Sequence, residues 1–489
     1  MKVRQEGHLA RRWAWAVACL ATVFLAGTLA EAQSQAQNPS SKTNPYFGSV
    51  TAHAISEEPL KLSLDEAIRR GLATNLGLRE AESGEKQFQG EKNVALQQFL
   101  PAINLSGGTG VYQHNLAALG FGQGALKQFA GNLPGGLPPG FSLITKNDLT
   151  QGQVSYDQTL FSGVVIAGWK AAGAAQRAAY FAKMSARGEV VQQVATAYLR
   201  VIADTSNVDN AAALLKADQV QYENARAAHE AGTTANLDVL RAQVQMQTEQ
   251  QELTSAQNNE DKDLILLKRE IGIPPGQRVV LTDPAPYSDL EDQTPAEVRA
   301  TAYKNRQDYQ NLQNQVVELR AVHNAYRAQR LPSLSFNGYY GVDKVNGSPS
   351  HGVFSAIGTL RFPIFREAEI RGESDASAAQ LAAANAQLAD LRSKIDQQVR
   401  TALLDVAAAK QLVDVSRSSV ALATQALSDE TDRVNAGVDD NLPLVTAQAS
   451  LSSAQTRYVQ SLYQYNLAKL AVARAAGVIE QQYRAYLGK

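Results

Sequence analysis

Residues 64–82 read LDEAIRRGLATNLGLREAE and residues 295–313 read PAEVRATAYKNRQDYQNLQ, and the same elements follow each stretch in the same order. Phe99-Leu100-Pro101 is answered by Arg330-Leu331-Pro332. QQVATA at 192–197 is answered by QQVRTA at 397–402, EAGT at 230–233 by NAGV at 435–438, and REIGI at 269–273 by RAAGV at 474–478. The offset is 231 residues at the Pro pair and 205 at the two Gly pairs, so the first copy carries extra sequence between Pro101 and Gly168. A chain written twice supplies two related halves to a pseudo-symmetric object, the kind of object from which pores and arrays are built.

Ahead of the first copy lies a processing signal. Arg4, Arg11 and Arg12 form a positive region, residues 13–30 are free of charge, and Ala30-Glu31-Ala32 is a small-x-small cleavage site. This reads as a secretory signal peptide over residues 1–32. An anchor helix would sit at the short end of the spanning range. A lipoprotein signal would make Cys19 the lipidated residue, but only six uncharged residues precede it and Ala16 stands where such signals prefer a bulky aliphatic. Removing 1–32 takes away Lys2, Arg4, Arg11 and Arg12 together with Glu6 and Glu31, so the formal net charge moves from -1 to -3. The only cysteine goes too, which suits an oxidising compartment and leaves no disulfide to hold the fold. The near-neutral balance gives no support for nucleic-acid binding. Beyond the signal peptide no run of about 20 apolar residues remains, so no transmembrane helix is expected.

Each half switches period in the same places. After a polar leader at 33–59, helix begins at Ser63 with Glu66 in capping-box spacing and is expected to run to Pro101. Its twin runs from Thr294, with Glu297 three residues on and Pro295 at the first helical position, to Pro332. Alternation then replaces the helical beat. Ile103, Leu105 and Val111 mark an outgoing strand and residues 153–161 a return strand; Leu334, Phe336, Tyr340 and Val342, then 354–362, do so in the second copy. About ten alternating residues, tilted, cross a bilayer as a barrel strand, although a soluble hairpin with one wet face alternates too. The loop between the strands is short in the second copy and long in the first, residues 113–150, with LPGGLPPG at 133–140. Gly120-Phe121-Gly122-Gln123-Gly124 in that loop has no strand-loop-helix context and does not read as a phosphate loop.

Long helices follow. Residues 163–231 hold no Pro, and at about 1.5 Å per residue they make roughly 100 Å of helix. The mate is 367–436, and the turns at Gly232 and Gly437 lead into shorter helices over 236–271 and 441–476. Leu444, Ala447, Leu451, Ala454, Tyr458 and Ser461 alternate spacings of 3 and 4, a heptad seam of small and apolar residues. Val190, Val194, Val201, Val208, Ala211 and Leu215 keep the same beat in the first long helix, where Asp204 and Asp218 interrupt it.

Taken together, a signal peptide and a doubled order of helix, Pro, two strands, long helix, Gly turn and helix closely resemble the TolC-like outer-membrane efflux proteins. LSLDEAI at 62–68 followed by NLGLR at 75–79 is a familiar opening for that family. The resemblance covers residues 60 to about 477 and lies in the order of elements, with no single diagnostic motif. It divides the chain into repeats at 60–277 and 294–479, a linker at 278–293 and a C-terminal tail at 480–489. The implied fold class is mixed α and β: four strands per chain contribute to an oligomeric β-barrel, and long α-helical hairpins form a periplasmic α-barrel. Four strands cannot close a barrel with a lumen, and open edges in lipid leave backbone groups unsatisfied, so membranous strands require several chains. The resemblance sets the number, a homotrimer. It implies a passive exit duct of a tripartite efflux or type I secretion system, joined through a periplasmic adaptor (membrane fusion) protein to an inner-membrane RND or ABC pump. The chain would sit in the lipid of the outer membrane with its helices in the periplasm.

The resemblance also places candidate residues. Adaptor contacts map to the hairpin tips, Gly232, Thr233, Gly437 and Val438. Acidic rings that close the family's periplasmic entrance map to Asp238 and, less directly, to Asp439 and Asp440. The usual acidic positions of the second repeat are Pro443 and Thr446 here, an Arg expected near Asp439 is absent, and Val434 replaces a Tyr. An Asp near a helix N-terminus is favoured by capping alone. Tyr112, Tyr156, Phe161, Tyr339, Tyr340, Phe354, Phe362 and Phe365 lie near strand ends, where they serve either as interfacial girdles or as packing at the junction with the helices.

Catalysis finds little support. The six His are scattered with no pair at ligand spacing, and beyond Met1 only Met184 and Met246 remain, so no metal site or cofactor is expected. Asp261 and Asp263 read as a solvated helix face. A rival of another class is a wholly periplasmic coiled-coil adaptor or scaffold. It would share the signal peptide and hairpins but would lack paired ten-residue strands in both halves.

Overall fold

The computed structural model describes residues 41–50, 55–115, 128, 131, 144–284, 286–291, 293–436 and 441–488. The segment expected as a signal peptide, with Cys19, and most of the expected first loop lie outside them, as do Gly437, Val438, Asp439 and Asp440.

The first repeat begins with strand β1 (Leu60–Leu62) and helices α1 (Leu64–Thr74) and α2 (Leu76–Gln97). The expected single helix over 63–101 is therefore two. Ser63 caps α1, its side chain accepting from the Glu66 N–H. Asn75, extended at ψ 133°, ends α1 and caps α2 by accepting from Leu78 N–H. The break is held by the leader: Leu76 N–H donates to Gly48 O, Val50 N–H to Thr74 O, and the Asn75 side chain to Tyr46 O. Backbone groups freed by a mid-helix break need such partners. The twin is broken at the equivalent place, between α5 (Pro295–Asn305) and α6 (Gln307–Ala328); β4 (Val279–Leu281) precedes it. There Arg306 is the extended residue and Thr294–Glu297 forms the capping box.

Pro101 and Pro332 end the helices, and antiparallel strand pairs follow: β2 (Ala102–Asn115) with β3 (Ile144–Phe161), and β5 (Ser333–Val345) with β6 (His351–Arg361). Both first-copy strands reach into the segment expected as loop. All four form one antiparallel sheet, order β2-β3-β5-β6, in which β3 of the first repeat pairs β5 of the second. Among the described residues the outer edges of β2 and β6 carry no further strand.

The hairpins are α3 (Gly163–Glu230) with α4 (Asn236–Glu270), and α7 (Glu367–Asn435) with α8 (Asn441–Ala475). No described helix is long and apolar enough to cross a membrane. The main core lies at the strand-distant ends of α1 and α5, where Val190, Val194 and Tyr198 of α3 meet Ile68, Leu267, Ile395 and Leu470. The linker and tail join this core. β4 pairs β1 in parallel, and residues 479–487, expected as tail, form helix α9 (Ile479–Leu487) with Ile479, Tyr483, Tyr486 and Leu487 buried. Two glycines lock the arrangement. Gly272 and Gly477 hold φ of 71° and 75° in left-handed turns that end α4 and α8, each closed by a 6→1 bond, Ile273 N–H to Lys268 O and Val478 N–H to Ala473 O. A Cβ on Gly272 would come 2.7 Å from Thr74 Oγ1, and one on Gly477 2.7 Å from Arg306 N, so each turn presses on the break of its own helix pair.

Candidate functional site: a two-faced sheet and its helical hairpins

Register fixes which side chains share a face, because directly opposed residues in an antiparallel sheet point the same way. One row across all four strands is Leu105, Val154, Tyr340 and Phe354. The adjacent row on that face is Ile103, Tyr156, Gly338 and Ala356. Ile103, Leu105, Val154, Tyr340 and Phe354 are exposed, Leu105 to 83% and Phe354 to 78%, and Tyr156 is half-buried. Gly338 leaves a hollow on this face, and the Tyr156 ring stands edge-on to Phe336 beside it at 5.8 Å. The opposite face reads Asn104, Ser155, Tyr339 and Ser355 in one row, and Ala102, Asp157, Asn337 and Ile357 in the next. Asn337 donates to the Asp157 carboxylate at 2.6 Å. Strands of 11 to 18 residues meet or exceed the roughly 9–11 that cross a bilayer. An apolar outer face with a polar inner face is the pattern of a transmembrane barrel wall around an aqueous lumen.

The expected girdle residues divide between these faces. Tyr156, Tyr340 and Phe354 lie on the apolar face, while Tyr112 and Tyr339 register on the polar one. Phe161, beyond a bulge, and Phe362 and Phe365, past β6, gather at the helix end of the sheet, all three exposed. There Phe99 meets Trp169 edge-on at 6.2 Å, joining α2 to α3.

At the far end the first hairpin turns through Gly232, φ 78°. Thr233 N–H donates to Ala228 O at 2.9 Å and its hydroxyl to the same oxygen at 2.8 Å, closing the cap. Gly232 faces open space, so its conformation and not crowding requires glycine. Asp238 lies in the first turn of α4, where its charge suits the helix N-terminus, and is shared with Arg241 at 3.3 Å. Beside it Leu237, Leu240 and Val244 form an exposed apolar stripe.

The hairpin interiors carry charge that sequence reading registered only as interruptions. Asp218 is buried in the α3–α4 seam, and burial pushes its carboxyl up to about 6. Asp204 is pushed to about 7 by burial and then by neighbouring Asp263, whose carboxylate is held by Arg200 at 2.7 Å. Thr205 donates to Glu260 at 2.6 Å in the same cluster. Glu270, near the end of α4, accepts from Gln193 at 3.0 Å, and burial raises it to about 7. The exposed stripe Leu404, Leu412, Val415 and Leu422 on α7 escaped sequence reading, although its spacings of 8, 3 and 7 residues are visible in the chain. Such a stripe on a solvent-facing helix marks a surface that another element covers.

A four-stranded wall with one apolar face and two open edges, continued by two long helical hairpins in tandem, defines a class: an oligomeric outer-membrane duct. The family model described as outer membrane efflux protein matches residues 67–272 and 298–478, one segment per repeat. The chain belongs to the outer membrane efflux protein family, and that match to both repeats decides against the periplasmic scaffold. It is an outer-membrane efflux channel with its helical part in the periplasm. Nodulation protein T of Rhizobium leguminosarum bv. trifolii is 21% identical over 413 residues, 82% of either chain. Toluene efflux pump outer membrane protein TtgF of Pseudomonas putida is 23% identical over 440 residues, 84% of this chain and 82% of its own. In fold the chain is similar to the Campylobacter jejuni CmeC outer membrane channel, with a TM-score of 0.69 at 14% identity over 93% of this chain and 94% of the other.

Proposed function

We propose that three copies of this chain close a twelve-strand barrel whose lumen continues through a cylinder of α3, α4, α7 and α8, giving an exit duct fed by an inner-membrane RND or ABC pump through a periplasmic adaptor. The open edges of β2 and β6 carry this reading, because an isolated four-stranded sheet in lipid would leave two rows of backbone groups without partners. The exposed α7 stripe supports a neighbouring copy packed along the helices. Tyr156, Tyr340 and Phe354 face lipid; Phe161, Phe362 and Phe365 sit at the periplasmic interface; Tyr112 and Tyr339 face the lumen.

Gly232 and Thr233, with their repeat mates Gly437 and Val438, form the adaptor-facing tips. Asp238, Asp439 and Asp440 line the entrance. The duct conducts passively and does no chemistry, so the pump that feeds it sets the substrate. Membrane fractionation followed by planar-bilayer recording tests this reading. The expected result is an outer-membrane protein whose heat-sensitive oligomer has three times the chain mass and conducts ions. Recovery as a soluble periplasmic monomer would refute it. Cross-linking from T233C in cells is expected to capture an adaptor, and an adaptor-free product would remove the tip assignment.

A further inference from the structure

The two hairpins of this duplicated chain differ at matched depth. Asp218 of α3 and Glu249 of α4 lie inside the first hairpin, only 2% and 4% exposed. Among the described residues neither Asp218 oxygen accepts a hydrogen bond of ordinary geometry, nor does Oε2 of Glu249, and the one side-chain donor near the Asp218 carboxyl is the neutral Gln245 amide. Glu249 Oε1 accepts from the neutral Gln245 amide at 3.3 Å. At the 205-residue offset the second hairpin has Ala423 and Ala454 in their places, and Ala454 is packed inside its own hairpin. The first hairpin thus buries two carboxylates without a counter-ion where its twin buries the methyl group of Ala454 and half-buries that of Ala423.

Among the described residues no cation offsets them. From α4 the facing groups are Gln245, Glu249 and Glu252. On α3 itself Lys216, Glu223 and Arg226 point outward and are exposed. α8 carries no charged residue before Arg457. The helices α1, α2, α6 and α9 meet α3 much nearer its start, through contacts at residues 176–194. Two adjacent carboxylates removed from water and left without a counter-ion relieve that cost by binding a proton, which also supplies the missing hydrogen-bond donor.

We propose that the α3–α4 hairpin is a proton-responsive element: Asp218 and Glu249 take up a proton in acid, which tightens the hairpin, and release it toward neutral pH, which loosens it. The twin hairpin, with alanines at these sites, keeps its stability over the same range. Acidification of the periplasm would then act on one hairpin of each pair and leave the other as a fixed wall. The inference concerns the hairpin alone and stands independently of the adaptor and pump proposed above.

Both carboxyls are raised by burial, Asp218 from 3.8 to about 6 against a smaller opposing effect of the Gln245 amide, and Glu249 upward with the Asp218 and then the Glu252 charge adding to it. A carboxyl raised in the folded hairpin destabilises it progressively as pH climbs from the unfolded value through the folded one. The loss is complete above about pH 6 for Asp218, and corresponds to roughly a hundredfold in the hairpin's opening equilibrium.

Hydrogen exchange on the full-length protein in detergent, corrected for intrinsic rates, reads this directly. Between pH 4.5 and pH 7.5, protection over residues 211–225 and 242–256 is expected to fall at least tenfold, while the matched segments 416–430 and 447–461 stay constant. D218A/E249A, which copies the second hairpin, should abolish the pH response over residues 211–225 and 242–256, while the response set by Asp204 and Glu270 nearer the core persists. Equal protection of these two segments at the two pH values, or a pH dependence of theirs that survives in D218A/E249A, would overturn the proposal. Should the double variant fail to assemble, D218N keeps the side-chain shape and removes the charge; unchanged pH dependence in it would equally overturn the proposal.

Discussion

The Tyr198 hydroxyl lies 3.1 Å from Oδ2 of Asp283, and the same carboxylate oxygen accepts the Leu64 N–H at 2.7 Å. One linker residue therefore caps the start of α1 while gripping the middle of α3, and Tyr198 also reaches Leu62 O at 3.0 Å. Hydrogen bonds to charged groups are worth about 1.5–3 kcal/mol, and Tyr198 is fully buried. Y198F should lower the stability of the helical part by about 2 kcal/mol, read as a drop in Tm by circular dichroism. An unaltered Tm would show that Asp283 is satisfied without it.

Two left-handed glycines make a graded comparison. Gly232 at the tip faces open space, whereas Gly477 presses on the Arg306 backbone. G232A should cost only the conformational strain of about 1 kcal/mol. G477A adds a steric clash with main chain and should cost more, enough to reduce the yield of detergent-extracted oligomer. Equal effects of the two substitutions would contradict the packing described for Gly477.

The two faces of the sheet should respond differently to charge. Arg in place of Val154, on the apolar face, is expected to destabilise the folded barrel by about 2–4 kcal/mol. Arg in place of its neighbour Ser155, on the polar face, should leave folding into lipid vesicles intact and lower single-channel conductance. Denaturant titration in vesicles with parallel bilayer recording separates the two, and a reversed order would exchange the faces.

Glu270 is 4% exposed, with Oε2 lacking a partner, and its carboxyl is raised to about 7. A carboxyl raised in the folded state leaves stability undiminished below about pH 4.5 and erodes it as pH rises through the folded value. E270Q, which removes the charge, should therefore stabilise the protein by about 2 kcal/mol at pH 8 and change little at pH 4.5. Thermal melts at the two pH values test the sign; stabilisation confined to the acid side would be inconsistent with it.

At the proposed entrance, D439N/D440N should reduce cation preference in asymmetric salt across planar bilayers. Selectivity equal to that of the unaltered channel would detach these residues from the entrance.

The doubled architecture was legible because period switching, from helical to alternating and back, is written locally and occurs twice. The helix breaks were not. Nothing at Asn75 or Arg306 forbids helix, and the first break is held by Gly48 and Val50, whose contact with α1 and α2 no local pattern encodes. The C-terminal helix was missed for a related reason: nine residues carry too little periodic signal, and burial of Tyr483 and Leu487 depends on a core assembled from both repeats. Asp218 did announce itself as a break in the seam, but only the packed hairpin reveals that its carboxylate is buried beside Glu249 with no counter-ion among the described residues. Face assignment on the strands needed register, which pairing across the repeats supplies and composition does not.

The unpartnered edges of β2 and β6 have a genetic consequence. A subunit that must lend one edge and borrow another cannot fail privately. A copy whose β2 edge is spoiled, by proline at an outward-facing amide for instance, would still offer a sound β6 to its neighbour and so enter mixed rings that cannot close. Such alleles should be dominant over the wild type when the two are expressed together, whereas copies that lack the sheet altogether should be recessive.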